Sequence, residues 1–272
     1  MYKMPIRDEY SNKGTFGKVL NFCGSDNYIG AAYLSTIASL KVGAGYSALA
    51  TTENVIRSVS TLLPEAVYLT RAEGLKQIGD FNVVLIGCGL GLNYASMTLL
   101  KKVLINIPEK TPLVLDADGI NLLTKIISPS KSKFLKETVK ILTPHPKEAS
   151  RLLDCSLEEV LNDLEGSAKK ISQIYKCVTV LKTHRTIVCN TDLDIHINQH
   201  GNSALAKAGT GDVLAGIIAG LLAQKMTPFE AAKLGVYLHS RTGEIVSEVL
   251  TKYSVLASDI PKYLHLAIKE IL

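Results

Sequence analysis

NSALAKAGTGDVLAGIIAG, residues 202–220, is the stretch on which the reading of this chain turns. A turn of small residues, Ala208-Gly209-Thr210-Gly211, delivers an acid, Asp212, to the start of an apolar helical run. A helix start presents N–H groups that its own carbonyls cannot reach, together with a partial positive charge, and both favour anions such as phosphate. Glycine lets the backbone approach phosphate oxygens with no Cβ in the way. A carboxylate there repels phosphate. The role that fits Asp212 is therefore removal of a proton from a substrate hydroxyl beside a transferring phosphoryl group. The competing reading is a plain helix cap by Thr210 or Asp212.

Upstream of this stretch, short apolar runs alternate with longer helical patterns. Val19–Cys23, Val83–Ile86, Leu113–Leu115, Val139–Leu142 and Val178–Leu181 read as buried parallel strands, most of them ending in glycine or a polar residue. Ala31–Leu40, Ala95–Ile105, Ile120–Ile127, Pro146–Leu153 and Ser167–Tyr175 read as helices. Thr186–Cys189 and Leu193–Ile197 alternate like antiparallel strands about an Asn190-Thr191-Asp192 turn. The last third is helical, over Asp212–Ala223, Pro228–Leu250 and Pro261–Leu272. The expected fold class is α/β, a three-layer sandwich about a mostly parallel sheet. With no linker and no internal repeat, residues 1–272 read as a single domain.

Composition narrows the class. A chain of 272 residues with 47% hydrophobic content buries a large core and is not disordered. The net charge of +5 is dispersed, with no basic block, which argues against nucleic acid as a partner. Five cysteines, an odd and widely spaced set, read as reduced core thiols of a cytoplasmic protein rather than a disulfide framework. The polar N-terminal stretch has no signal-peptide pattern, and the longest apolar-plus-glycine run, Val213–Ala223, is too short for a bilayer.

In an open α/β sheet, ligands bind beyond the carboxyl ends of the strands. Five such ends carry glycines or polar groups here: Gly24-Ser25-Asp26, Gly87-Cys88-Gly89-Leu90-Gly91, Asp116-Ala117-Asp118-Gly119, Thr143-Pro144-His145-Pro146-Lys147-Glu148 and Lys182-Thr183-His184-Arg185-Thr186. Each alone is a weak signal, and the glycine turn at 87–91 lacks the spacing of a dinucleotide fingerprint. Converging on one edge, they read as the rim of an active site.

These segments resemble the ADP/ATP-dependent (S)-NAD(P)H-hydrate dehydratase family, a branch of the ribokinase-like superfamily. The matching stretches include KGTFGKVLNFCGS (13–25), KVGAGYSALAT (41–51), IGCGLG (86–91), VLDADGINLL (114–123), LTPHPKEASRLL (142–153), VLKTHRT (180–186) and GNSALAKAGTGDVLAGIIAGLLAQ (201–224). They run in family order over almost the whole chain. The segment AGTGD marks only the superfamily of small-molecule kinases; VLDAD with LTPHPKE narrows it to the dehydratases.

The resemblance implies a ribokinase-like α/β/α sandwich and a repair reaction. Nucleoside phosphate activates the hydroxyl of the S hydrate (NADHX or NADPHX), and loss of phosphate restores NAD(P)H. By resemblance, Asp212 is the catalytic base, and Ala31, Gly91, His145 and Asp212 contact the hydrated dinucleotide. Lys182, Thr183, His184, Arg185, Thr186, Gly209, Thr210 and Gly211 bind ADP or ATP, and Glu148 organises Mg²⁺ through water. Competing readings make Lys182 a solvated strand-end lysine, His145 a histidine bonding the backbone at a helix start, and Glu148 a favourable acid in a first helical turn. Asp116 and Asp118 read evenly as groups orienting the ligands or as caps of the next helix.

The chain departs from the family pattern at Cys88 (usually proline), at Thr183 (usually glycine) and over Gly201-Asn202-Ser203-Ala204, where Gly-Asn-Pro-Gly is usual. These departures bear on loop geometry and nucleotide preference. Some relatives add an N-terminal epimerase domain, which a chain of this length is expected to lack. A homo-oligomer, with a tetramer as one form, is a further expectation, and the apolar face of Ala231–Leu250 reads either as its interface or as core. Two rival functions share the AGTGD segment: a kinase that stops at a phosphorylated thiazole or pyridoxal-type alcohol, and a nucleotide-sensing protein without chemistry.

Overall fold

The computed structural model describes residues 2–127 and 139–272. In chain order the elements are β1 (Lys18–Phe22), α1 (Ile29–Lys41), β2 (Tyr46–Thr51), α2 (Glu53–Val59), β3 (Val67–Thr70), α3 (Arg71–Lys76), β4 (Val83–Ile86), α4 (Tyr94–Asn106), β5 (Leu113–Leu115) and α5 (Asp118–Ile126). They continue with β6 (Val139–Leu142), α6 (Pro146–Leu153), α7 (Leu157–Asn162), α8 (Leu164–Tyr175), β7 (Val178–Leu181), β8 (Ile187–Cys189), β9 (Ile195–Ile197), α9 (Thr210–Ala223), α10 (Pro228–Ser254) and α11 (Asp259–Lys269).

All the strands join one nine-stranded sheet, ordered β3-β2-β1-β4-β5-β6-β7-β8-β9. Pairing is parallel from β3 through β7 and antiparallel at β7–β8 and β8–β9. The chain runs outward from β1 to β3 and then returns to lay β4 against the other side of β1, so the direction of winding reverses between β1 and β4. Such a reversal opens a crevice at the carboxyl edge, the place where ligands of open α/β sheets sit.

Alternation along each strand sends side chains to two separate cores. Val83 and Leu85 face one, with Val84 and Ile86 facing the other. The first core is closed by α1, α2, α9, α10 and α11, and the second by α4, α5, α6, α7 and α8. The result is the expected three-layer α/β/α sandwich. In α9, twelve of the fourteen residues are buried, and the two that are not, Gly211 and Asp212, lie in its first turn. Two glycines let α1 approach α9. A Cβ on Gly216 would overlap the Ser35 carbonyl, and one on Gly220 would come within 2.6 Å of the Ser39 carbonyl oxygen.

Several elements differ from the sequence expectation. Strands β2 and β3 and helices α2, α3 and α7 carry no strong periodic pattern and lie outside the expected set. Leu193, expected in a strand, sits in the hairpin turn with φ 69°. The helical path of α10 breaks at Thr251 (φ 69°, ψ 155°), next to the expected end at Leu250. The apolar face of Ala231–Leu250 is largely internal: Ala231, Leu234, Leu238 and Val246 join the first core, so the core reading holds for it. All five cysteines are free; four are buried and Cys155 alone is partly exposed. Among the described residues, no helix is long and apolar enough to cross a membrane.

Candidate active site

The start of α9 is built on Gly209, whose φ of 92° is ordinary only for glycine. Gly209 occupies the cap position and no side chain caps the helix. The Thr210 hydroxyl turns back instead, donating to the Leu205 and Lys207 carbonyl oxygens at 2.9 Å each. Neither Thr210 nor Asp212 acts as a cap, so the competing reading fails and the Asp212 carboxylate is left for other work. The N–H groups of Gly211 and Asp212, in the first turn, have no carbonyl of their own helix to reach.

Facing this helix start is a buried charge cluster from three strand ends. Asp116, just past β5, is 1% exposed and accepts hydrogen bonds from Thr143 Oγ1 at 2.6 Å and from Lys182 Nζ, just past β7. The Cys88 thiol, just past β4, lies 3.7 Å from Asp116 Oδ2, and ligand atoms of Cys88, Asp116 and Asp212 are all within 4.8 Å of one another. Lys182 Nζ is 3.5 Å from the point where a Cβ on Gly211 would lie, so the ammonium stands beside the helix start. It is an ion-paired, largely buried lysine, not a solvated one.

Electrostatics follow from this crowding. Burial and the neighbouring Asp116 carboxylate push the Asp212 carboxyl up to about 7, against opposing help from Cys88 and Lys182. Burial alone would lower the Lys182 ammonium, but the Asp116 and Glu148 carboxylates outweigh it and hold it above its ordinary value. A hydrogen bond with Cys23, then burial and the two nearby acids, raise the Cys88 thiol. An acid poised near neutrality next to a permanent cation suits proton removal beside an anion.

A cavity of about 820 Å³ opens from the cluster, lined by His145, Lys182, Thr183, His184, Thr186, Thr210 and Gly211 among others. Arg185 and Gly209 lie outside its wall. Thr183 Oγ1 donates to the Arg185 carbonyl at 2.7 Å and Thr186 Oγ1 to the Thr183 carbonyl at 3.3 Å, so these two hydroxyls brace the turn after β7. His239 and Ser240 of α10 complete the wall; burial lowers the His239 imidazole to about 4, so it stays neutral. No sequence signal in the middle of a helix marks these two residues.

His145 meets both readings offered for it. Its Nδ1 accepts from the Lys147 and Glu148 N–H groups at 3.1 and 3.3 Å, capping α6, while the ring also lines the cavity. Burial and nearby Lys182 lower its imidazole, which keeps the Nδ1 lone pair available. Glu148 completes a capping box: its Oε2 accepts from the His145 N–H at 2.9 Å, and Oε1 lies 3.4 Å from His145 Nε2. With both oxygens engaged by His145 and the residue 3% exposed, this carboxylate is committed to the start of α6, so the competing reading of a favourable first-turn acid describes its geometry.

The other expected residues lie along the same carboxyl edge, nearer the winding reversal. Ala31 stands in the first turn of α1, and its Cβ faces Gly89. The Gly91 N–H donates to Asp118 Oδ2 at 2.7 Å. The cap reading fails for both aspartates, since α5 has no side-chain cap. Sequence reasoning missed Thr143 as a partner of Asp116, although it stands in the quoted LTPHPKE segment.

A sandwich whose glycine turn presents an acid at a helix start, opposite a strand-end lysine, has the architecture of the ribokinase-like superfamily. The family model described as NAD(P)H-hydrate dehydratase matches residues 19–266, and the chain belongs to that family. It is 38% identical over 245 residues to the ADP-dependent (S)-NAD(P)H-hydrate dehydratase of Neisseria meningitidis, covering 89% of this chain and 81% of that one. A crystal structure of the ADP/ATP-dependent NAD(P)H-hydrate dehydratase of Bacillus subtilis, co-crystallised with ATP/Mg²⁺, aligns with a TM-score of 0.88 at 32% identity, over 99% of this chain and 95% of that one. The bifunctional NAD(P)H-hydrate repair enzyme Nnr of Moorella thermoacetica is 31% identical over 99% of this chain, which spans 52% of that enzyme's length. Kinases of the same fold stand at 15–17% identity, a likeness of fold alone.

Proposed function

We infer that this chain converts the S epimer of hydrated NAD(P)H back to NAD(P)H, with ADP or ATP as phosphoryl donor. The observation that carries this reading is the uncapped α9 start with Asp212, raised to about 7, beside the Asp116–Lys182 pair. In this reading Asp212 takes the proton of the ring hydroxyl as its oxygen attacks the terminal phosphorus, and AMP or ADP departs. The Gly211 and Asp212 N–H groups and the Lys182 ammonium hold the negative charge of the transferring group. Phosphate then leaves with the C–O bond electrons, driven by the ring nitrogen's lone pair, and loss of the adjacent ring proton restores the double bond.

Thr183, His184, Thr186 and Thr210 line the cavity proposed for the nucleotide, with Arg185 and Gly209 shaping its surroundings. His145, Ala31 and Gly91 contact the hydrated dinucleotide. A magnesium ion arriving with the nucleotide would neutralise charge on the phosphates, and Glu148 would be the residue to hold its hydration shell, by exchanging a contact with His145. We take residues 1–272 as one domain of this activity, with the single continuous sheet in support.

The test supplies purified protein with Mg²⁺, separately prepared S and R hydrates, and ADP or ATP, and follows the near-ultraviolet absorbance of the reduced nicotinamide. Nucleotide-dependent recovery from the S hydrate is expected. Absence of recovery, with nucleotide still consumed on another alcohol, would replace this reading with a kinase.

A further inference from the structure

Ala117 has φ 47° and ψ −117°. A residue with a Cβ keeps such a backbone only where its surroundings impose it. On either side of it stand two aspartates whose carboxylates part company. Asp116 turns toward Lys182, Thr143 and Cys88. Asp118 instead accepts the Gly91 N–H at 2.7 Å, 27 residues away along the chain. An aspartate in a first helical turn ordinarily serves its own helix; this one is directed to another loop.

That loop, Gly87–Gly91, is held along its length. The Gly24 N–H donates to the Cys88 carbonyl, Ser25 Oγ to the Gly89 carbonyl and Ser96 Oγ to the Leu90 carbonyl, each at 2.8 Å. The bond from Gly91 to Asp118 fixes its far end, and it is charge-assisted, the stronger kind. The Asp116-Ala117-Asp118 turn therefore clasps the charge cluster with one carboxylate and the glycine loop with the other.

We propose that Asp118 is a positioning residue that fixes Gly91, and with it the substrate-bearing loop, at a set distance from the Asp116–Lys182 pair. This rests on the reading above, in which Gly91 contacts the hydrated dinucleotide. Loosening the loop weakens substrate placement and leaves the nucleotide cavity alone.

The test compares the parent chain with Asp118→Ala and Asp118→Asn, measuring KM separately for the S hydrate and for the nucleotide. Alanine removes the acceptor, and the hydrate KM is expected to rise about tenfold with the nucleotide KM within about twofold of the parent. Asparagine keeps an acceptor oxygen without the charge, and its hydrate KM is expected between the two. Urea unfolding of each chain separates loss of position from loss of fold. If the alanine chain does not fold, Asp118→Ser, which suits a helix start but is too short to reach Gly91, takes its place. Equal rises in both KM values, an unchanged hydrate KM, or an asparagine chain no better than alanine overturns the proposal while the functional reading stands. A parent chain that neither converts the S hydrate nor binds NADPH removes both.

Discussion

Asp212 combines two roles that pull against each other. Its carboxyl is raised from 3.8 to about 7 because it is buried next to Asp116, so in the folded chain it holds its proton more firmly than when unfolded. Below about 7 the base is protonated, and kcat/KM for the S hydrate is expected to fall about tenfold per pH unit and to level off above. Stability runs the other way. As pH rises from 3.8 to about 7 the unfolded chain gives up this proton while the folded state still holds it, so stability falls across that window, and above it the folded state carries a buried charge at full cost. Asp212→Asn should therefore lose turnover by roughly 10²–10⁴-fold. It should also unfold at higher urea than the parent above neutrality, by a few kcal/mol, since each tenfold change in proton affinity is worth about 1.4 kcal/mol. That gap closes toward acid pH. A variant that is less stable than the parent at alkaline pH contradicts this account.

At the scale of elements, the close approach of α1 and α9 does more than fill the core, because both helices begin at the carboxyl edge of the sheet. Gly216→Val would force the α9 backbone away from Ser35. Overpacking of this kind typically costs about 1–3 kcal/mol. The unfolding free energy from urea titration is expected to fall by that amount, and the nucleotide KM to rise as the Gly211 and Asp212 N–H groups shift. An unchanged KM in the folded variant would mean that the helix start is held from elsewhere. Which elements were legible follows from the same packing. Strands such as β4, Val-Val-Leu-Ile, announce themselves because they are covered on both faces by large side chains. The strand β2 has the sequence YSALAT and did not. Its small residues meet α1 closely, with Ser47 bonded to Ser39 and Asn21 in the interior, so its burial is a property of its neighbours rather than of its own hydrophobicity.

Across the whole molecule, the site is a property of one sheet edge. The rule that ligands meet strand ends singled out Lys182, Asp116 and His145 in the sequence, and the glycine turn before a helix singled out Asp212. Their pairing was not, because which strand end faces which depends on the order β1-β4-β5-β6-β7, set by the crossovers. For the same reason His239 and Ser240, brought in by a helix packed beneath the edge, left no local sign. Burial also hides four of the five thiols. Cys23, Cys88, Cys177 and Cys189 are enclosed, which leaves Cys155, just beyond the end of α6, as a natural attachment point for a spectroscopic label. One maleimide dye per native chain is expected by mass spectrometry, against five after denaturation. Because α6 carries His145 at its other end, such a dye would read occupancy of the cavity optically, without any turnover.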